Sequence, residues 1–342
     1  LGGLGALFAP ALLRAMGAEA GVLASGTGFA RVLLGGSATA FLLFVLNACF
    51  RGAGDAAAAM RVLWLANGLN IVLAPLFIQG WGPVPAMGVT GAAVATTLGR
   101  GTGVVAAAFL LLRGSGRLRV LRRHLRLERE TLSRLLGLAR NATVQVLVGS
   151  LSWIGLVRLM SAHGSAAMAG YTIAIRVVLF GLLPAWGLSN AAATLVGQSL
   201  GARKPDRAEA AVWKAARWNL AFLGGTGLVY VLWAPAIVQV FTADAEVAAV
   251  AVYGLRAVAA GFPCYAFGMV LTQAFNGAGD TATPTWINLA VFWAFELPLA
   301  GLLSSHGPGP RGVFLAVTAA YTLLALVGVW QFRKGRWRDR LV

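Results

Sequence analysis

Long apolar runs separated by short polar or basic breaks make up the chain. Runs fall near residues 1–16, 21–50, 61–80, 88–112, 141–160, 166–200, 216–240, 247–275, 286–304 and 312–332. Most exceed the roughly 18 residues that carry an α-helix across a bilayer. The pattern predicts nine full transmembrane helices and a first one that starts abruptly. A length of 342 residues would suit two soluble domains, but 58% hydrophobic and only 11% charged residues, with mean hydropathy +0.77, exclude water as the main solvent. The fold class is therefore an all-α polytopic membrane protein.

Charge refines that picture through its placement. A net charge of +17 would suggest nucleic acid in a soluble chain, yet the 28 basic residues gather between apolar runs. Nine arginines between Arg113 and Arg140 face only Glu128 and Glu130, and further basic groups stand at Arg203, Lys204, Arg207, Lys214, Arg217 and from Arg333 to Arg340. The positive-inside bias then puts 51–60, 113–140, 201–215, 276–285 and 333–342 in the cytoplasm, and 81–87, 161–165, 241–246 and 305–311 outside. Both ends of the chain are expected on the cytoplasmic side. Segment 113–140 reads as a solvated linker; the alternative is an amphipathic helix that turns Leu118, Leu121, Leu125, Leu132, Leu135 and Leu136 toward the inner leaflet. Cys49 and Cys264 lie in apolar runs and His124, His163 and His306 are scattered, so neither a disulfide framework nor a metal site is expected. The start, Leu1 without a basic n-region, carries no signal-peptide pattern, and the chain is read as N-terminally truncated.

One shift of 225 residues superimposes two stretches without a gap. Phe50-Arg51-Gly52-Ala53-Gly54-Asp55 matches Phe275-Asn276-Gly277-Ala278-Gly279-Asp280, and the same shift pairs Ala18 with Ala243, Glu19 with Asp244, Ala20 with Ala245, Val22 with Val247, Arg31 with Arg256 and Gly36 with Gly261. The expected organisation is a remainder of an N-terminal bundle over 1–112 (helices 3–6 of a parent), a basic linker over 113–140, a six-helix bundle over 141–332 and a basic tail over 333–342. The second half begins near residue 131, and its partner would begin about 95 residues before Leu1, leaving about two and a half helices missing. Two six-helix halves that both enter from the cytoplasm are parallel repeats, an arrangement that suits two bundles rocking about a central site.

With these motifs, the duplicated Gly-Ala-Gly-Asp turn, Gly197-Gln198-Ser199-Leu200-Gly201-Ala202 ending one span and Gly88-Val89-Thr90-Gly91-Ala92-Ala93-Val94-Ala95-Thr96 opening another, the sequence resembles the multidrug and toxic compound extrusion (MATE) family. The resemblance implies a monomeric antiporter of the bacterial cytoplasmic membrane that exports amphipathic, often cationic, organic compounds against protons or sodium. It implies no prosthetic cofactor and no nucleic-acid partner. In the family, ion-linked acids are described in the first helix and, in one branch, in the seventh and tenth; spacing from Gly164 and Gly277 brings the latter two near Gly149 and Tyr265, neither of them an acid. A lipid-linked oligosaccharide flippase of the same broad superfamily is the alternative, kept open by Arg31, Arg100, Arg176 and Arg256. A membrane-embedded enzyme lacks support: no intramembrane His, no Gly-x-Ser-x-Gly and no paired acids occur.

Intramembrane polar residues are the functional candidates, since a charge at the bilayer centre costs roughly 2.5–3.5 kcal/mol and calls for a partner or a purpose. Of 11 acids, Glu296 alone falls in the middle of a span. It is expected to pair with an arginine, Arg256 foremost, either as a static bridge or as a pair that opens to admit a proton or cationic substrate. Pro184, Pro263 and Pro298 mark bending points. Near them Arg176, Trp186, Asn190, Tyr265, Gln273, Asn288 and Trp293 form a candidate lining for an organic cation. Gly52, Gly54, Asp55, Gly277, Gly279, Asp280, Gly197, Gln198 and Gly201 are read as turn, packing or inner-gate positions, with both aspartates as helix caps.

Overall fold

The computed structural model describes residues 2–15, 20–114, 118–121 and 128–338, which form helices and connecting turns, with one isolated bridge between Trp81 and Val84. Two units divide at Arg126 and Leu127. The first holds α1 (Gly2–Leu7), α2 (Ala9–Ala15), α3 (Ala20–Gly35), α4 (Ser37–Gly52), α5 (Ala56–Gln79) and α6 (Val89–Arg113). The second holds α7 (Arg129–Ser161), α8 (Ser165–Gly201), α9 (Pro205–Gln239), α10 (Ala245–Ala260), α11 (Phe262–Gly277), α12 (Ala282–Asn288), a π-helical segment Leu289–Glu296, α13 (Leu297–His306) and α14 (Pro310–Arg333). Among the described residues seven helices are long and apolar enough to cross a bilayer, or nine spans if each bent pair counts as one. The chain is a multi-pass membrane protein.

The two bent pairs carry the sequence register into geometry. α3 and α4 meet at 41° around Gly36, and α10 and α11 at 56° around Gly261, residues that stand 225 apart. Both pairs end in the same turn. The Asp55 N–H donates to the Phe50 carbonyl (2.9 Å) and the Asp280 N–H to the Phe275 carbonyl (3.0 Å). Gly54 and Gly279 take φ of 80° and 73°, the left-handed conformation that a side chain opposes. Each aspartate then accepts from the next helix, Asp55 from the Ala58 N–H (3.0 Å), Asp280 from the Thr283 N–H (3.3 Å) and hydroxyl (2.7 Å). A third copy ends α8, where the Lys204 N–H reaches the Ser199 carbonyl (2.8 Å) and Arg203 holds the left-handed position at φ 56°.

Four of the connections are shorter than the apolar runs imply. α5 starts at Ala56 rather than 61, α9 at Pro205 rather than 216, α12 at Ala282 rather than 286, and α7 at Arg129 rather than 141. In α5 and α9 the early turns bury Ala58, Ala59, Val62, Ala208, Val212 and Ala216 at helical spacing. Hydropathy registers the part of a helix immersed in lipid, whereas backbone hydrogen bonding and one packed face prolong the helix beyond it. The linker is also divided. Residues 129–140 are helical, and 118–121 turn back on the first unit, with the Val120 N–H on the Leu111 carbonyl (3.0 Å) and Leu118 against the core around Phe50 and Leu111. Leu118 and Leu121 thus belong to no surface helix, while Leu125 and His124 lie outside the described residues, as do Ala18, Glu19 and Arg340.

Small residues let backbones touch, the main source of packing where lipid removes the hydrophobic drive. On α6, Gly91, Ala95, Gly99, Gly103 and Ala107 form one buried stripe, and a Cβ on Gly99 would stand 2.6 Å from the Ala66 carbonyl of α5. In the second unit a Cβ on Gly277 would come within 2.6 Å of Ala193 Cα, and one on Gly197 within 3.1 Å of the Gly277 carbonyl. The Gly-Gln-x-x-Gly-Ala and Gly-Ala-Gly-Asp segments are therefore a single contact between α8 and α11. Of the three prolines read as bending points, Pro263 follows the break at Gly261 and Pro298 follows the π segment, but Pro184 stays inside a continuous α8, whose long buried face holds it against α9, α10 and α11.

Candidate functional site

Glu296 closes the π segment. There the Leu297 N–H reaches the Phe292 carbonyl five residues back, and Pro298, in the first turn of α13, has no N–H to donate to the Ala294 carbonyl. Inserting one residue per turn rotates the following side chains, and Glu296 ends up 3% exposed, facing the interior of the second unit. Its Oε2 accepts from the Ser152 hydroxyl of α7 at 3.0 Å. The hydroxyls of Tyr171 on α8, Tyr265 on α11 and Tyr321 on α14 lie within electrostatic reach of the same carboxyl. The Tyr265 and Tyr321 rings stack at 3.9 Å, and the Tyr171 hydroxyl is buried without a hydrogen-bond partner.

A polar stripe on α7 leads to this site. Asn141, Gln145 and Ser152 fall on one helical face. Asn141 Nδ2 donates to the Thr281 hydroxyl (3.3 Å), Asn276 Nδ2 reaches both Gln145 Oε1 (3.5 Å) and Gln273 Oε1 (3.4 Å), and Trp293 Nε1 donates to the Val148 carbonyl (3.0 Å). The side-chain carbonyls of Asn276 and Asn288 are buried there without partners. Of the residues singled out from sequence, Glu296, Tyr265, Gln273, Asn288 and Trp293 thus belong to helices that meet along α7 and α11.

The others stand elsewhere. Arg256 does not reach Glu296: it is exposed, and its Nε donates to the Val231 carbonyl of α9 at 3.0 Å. Helical periodicity is the reason, because α10 buries Val247, Ala251, Gly254, Leu255 and Val258, which turns position 256 outward. Among the described residues the ion pairs are Arg134–Glu130 and those of Arg338 with Asp206 and Glu209, so the expected Glu–Arg pair is replaced in this conformation by a hydroxyl. Arg176, Trp186 and Asn190 follow an exposed stripe on α8 with Phe180 and Leu183, opposite the face that buries Tyr171, Ile175 and Val178. Sequence reasoning passed over Ser152, Tyr171 and Tyr321. A usable signal existed for Tyr321, which lies near the middle of its apolar run, whereas Tyr171 stands only six residues after the start of α8. Among the described residues no group of acids, histidines and cysteines could hold a metal ion.

Residues 2–76 and 142–302 match the family profile MatE. The chain is 27% identical over 341 residues to "Probable multidrug resistance protein YoeA" of Bacillus subtilis, covering 96% of this chain and 72% of that one. It is 24% identical to "FAD transporter" of Shewanella oneidensis, covering 95% and 72%. Among solved structures, a MATE protein in complex with MaL6 superimposes with a TM-score of 0.88 at 26% identity, covering 96% and 74%. A MOP superfamily transporter from Pyrococcus furiosus superimposes with a TM-score of 0.89 at 25% identity, covering 99% and 76%.

Proposed function

Since the chain belongs to the MatE family, we propose that it exports amphipathic, often cationic, organic compounds or drugs from the cytoplasm by alternating access, in exchange for protons or sodium. It is a transporter and not an enzyme. Relatives named for multidrug resistance support drug efflux over the flippase alternative. The setting is a bacterial inner membrane, with the basic turns and the C-terminus in the cytoplasm and the protein acting as a monomer.

One observation carries the coupling assignment: Glu296, 3% exposed, meets a serine hydroxyl rather than a cation. A bare carboxylate is costly in hydrocarbon, so a proton, a sodium ion or a cationic substrate completes the site in part of the cycle. Ser152 orients the carboxyl, and the tyrosine rings offer π-faces to an arriving cation. The stripe from Asn141 to Ser152 spans about 16 Å along α7 and provides a polar approach from the basic end of the helix. Arg176, Trp186 and Asn190 line the substrate path from α8, and Gln273, Asn288 and Trp293 from the Glu296 side. Efflux of a cationic dye is measured in vesicles with proton and sodium gradients imposed separately, for the protein and for Glu296→Gln. Gradient-driven efflux lost in the variant, with folded protein retained in the membrane, is the expected result; unchanged efflux removes Glu296 from coupling.

A further inference from the structure

Away from the Glu296 site, α9, α11 and α14 enclose an open groove of about 500 Å³ lined by Leu220, Pro263, Phe267, Leu326, Trp330 and Arg333, among others. Its walls are apolar except at one end. Leu326 is 64% and Trp330 57% exposed, so the groove opens outward from the bundle. Pro263, two residues after Gly261 at the 56° break between α10 and α11, is part of the lining.

Two dimensions identify the occupant. From Ala325 to Arg333 the groove follows α14 for about 12 Å at 1.5 Å per residue, close to the roughly 15 Å hydrocarbon depth of one leaflet. At its end Arg333 is exposed, and Arg217 is exposed on α9 three residues before Leu220, on the same helical face. Neither arginine is in an ion pair among the described residues, whereas Arg338 is already taken by Asp206 and Glu209. Lys334 Nζ sits 3.2 Å from the centroid of the Trp330 ring, which adds a further cation and an interfacial aromatic at the same depth.

We propose that this groove binds an anionic phospholipid of the leaflet on the Arg333 side, with one acyl chain along Phe267, Leu326 and Trp330 and the phosphodiester between Arg333 and Arg217. An apolar slot of leaflet length with guanidinium groups at headgroup depth matches that amphiphile in both length and charge. The assignment is independent of the Glu296 site, because no residue is shared.

The test is native mass spectrometry of the full chain titrated with phosphatidylglycerol, with phosphatidylcholine and with inorganic phosphate. Phosphatidylglycerol is expected to bind about tenfold more tightly than phosphatidylcholine. Arg217→Ala/Arg333→Ala is expected to abolish that preference and leave phosphatidylcholine binding unchanged, which also reports that the groove is intact. Leu326→Trp, at an exposed position, narrows the slot and is expected to weaken both lipids. Equal binding of the two lipids overturns the proposal, as does a preference that survives the double substitution. Displacement of phosphatidylglycerol by equimolar inorganic phosphate also overturns it, since the site would then read phosphate alone.

Discussion

Gly277 and Gly197 of the α8–α11 contact, and Gly201 at the end of α8, differ in what an added methyl group would meet, and this ranks their substitution by alanine. At Gly277 the new Cβ would stand 2.6 Å from Ala193 Cα and 2.7 Å from its carbonyl carbon, both of them backbone atoms of α8. No rotamer relieves that, so the two helices must separate by roughly 1 Å and loosen the core around Val196, Leu271 and Phe275. The cost is about 3 kcal/mol, at the upper end of overpacking effects. At Gly197 the nearest atom is the Gly277 carbonyl at 3.1 Å, a contact that a few tenths of an ångström relieves, for about 1 kcal/mol. At Gly201 a Cβ meets nothing within 4 Å, and alanine is neutral or favourable by up to about 0.5 kcal/mol. Thermal unfolding followed by fluorescence-detected gel filtration reads the series. At about 2–4 °C per kcal/mol, Gly277→Ala is expected to melt at least 6 °C below the parent, Gly197→Ala about 3 °C below, and Gly201→Ala level with it. Equal melting points for Gly277→Ala and Gly201→Ala would refute the argument that backbone contact, rather than glycine content, joins these helices.

Other substitutions test single features. Asp280→Ala removes the bonds to the Thr283 N–H and hydroxyl and is expected to cost about 1 kcal/mol in thermal unfolding, with Asp280→Asn costing less. Arg203→Gly is expected to gain about 1 kcal/mol in the same measurement, because it places glycine at φ 56° in a turn whose two other copies already have glycine there. Tyr171→Phe deletes a buried hydroxyl that has no partner and is expected to raise stability by about 1 kcal/mol. If that hydroxyl serves a cation at Glu296, dye efflux falls in the same variant, so the two readouts move in opposite directions.

Much of the fold was legible because its causes are local. Apolar run length reports where lipid is the solvent, and the Gly-Ala-Gly-Asp register carries a left-handed glycine and a capping aspartate within six residues, so the turns after α4 and α11 follow from their own sequence. The extra early turns of α5 and α9 were hidden, since alanines facing a neighbouring helix look no different from alanines in a loop. Glu296 stood out because a lone acid amid apolar residues needs no partner to be noticed. Most of its surroundings did not, because Ser152, Tyr171 and Tyr321 come from three helices far apart in the chain.

Arg256 shows the same division from the other side. The sequence by itself determined that an arginine sits at mid-span depth, which is a matter of counting residues along one helix. Only the tertiary structure decided which way it faces, because that depends on the stripe of α10 that packs against α8, α9 and α14. Depth, span and turn type are properties of consecutive residues and were readable as such. The partner of Glu296, the meeting of Gly197 with Gly277 and the groove ending at Arg333 are properties of helix faces, and these are assigned only when the bundle closes.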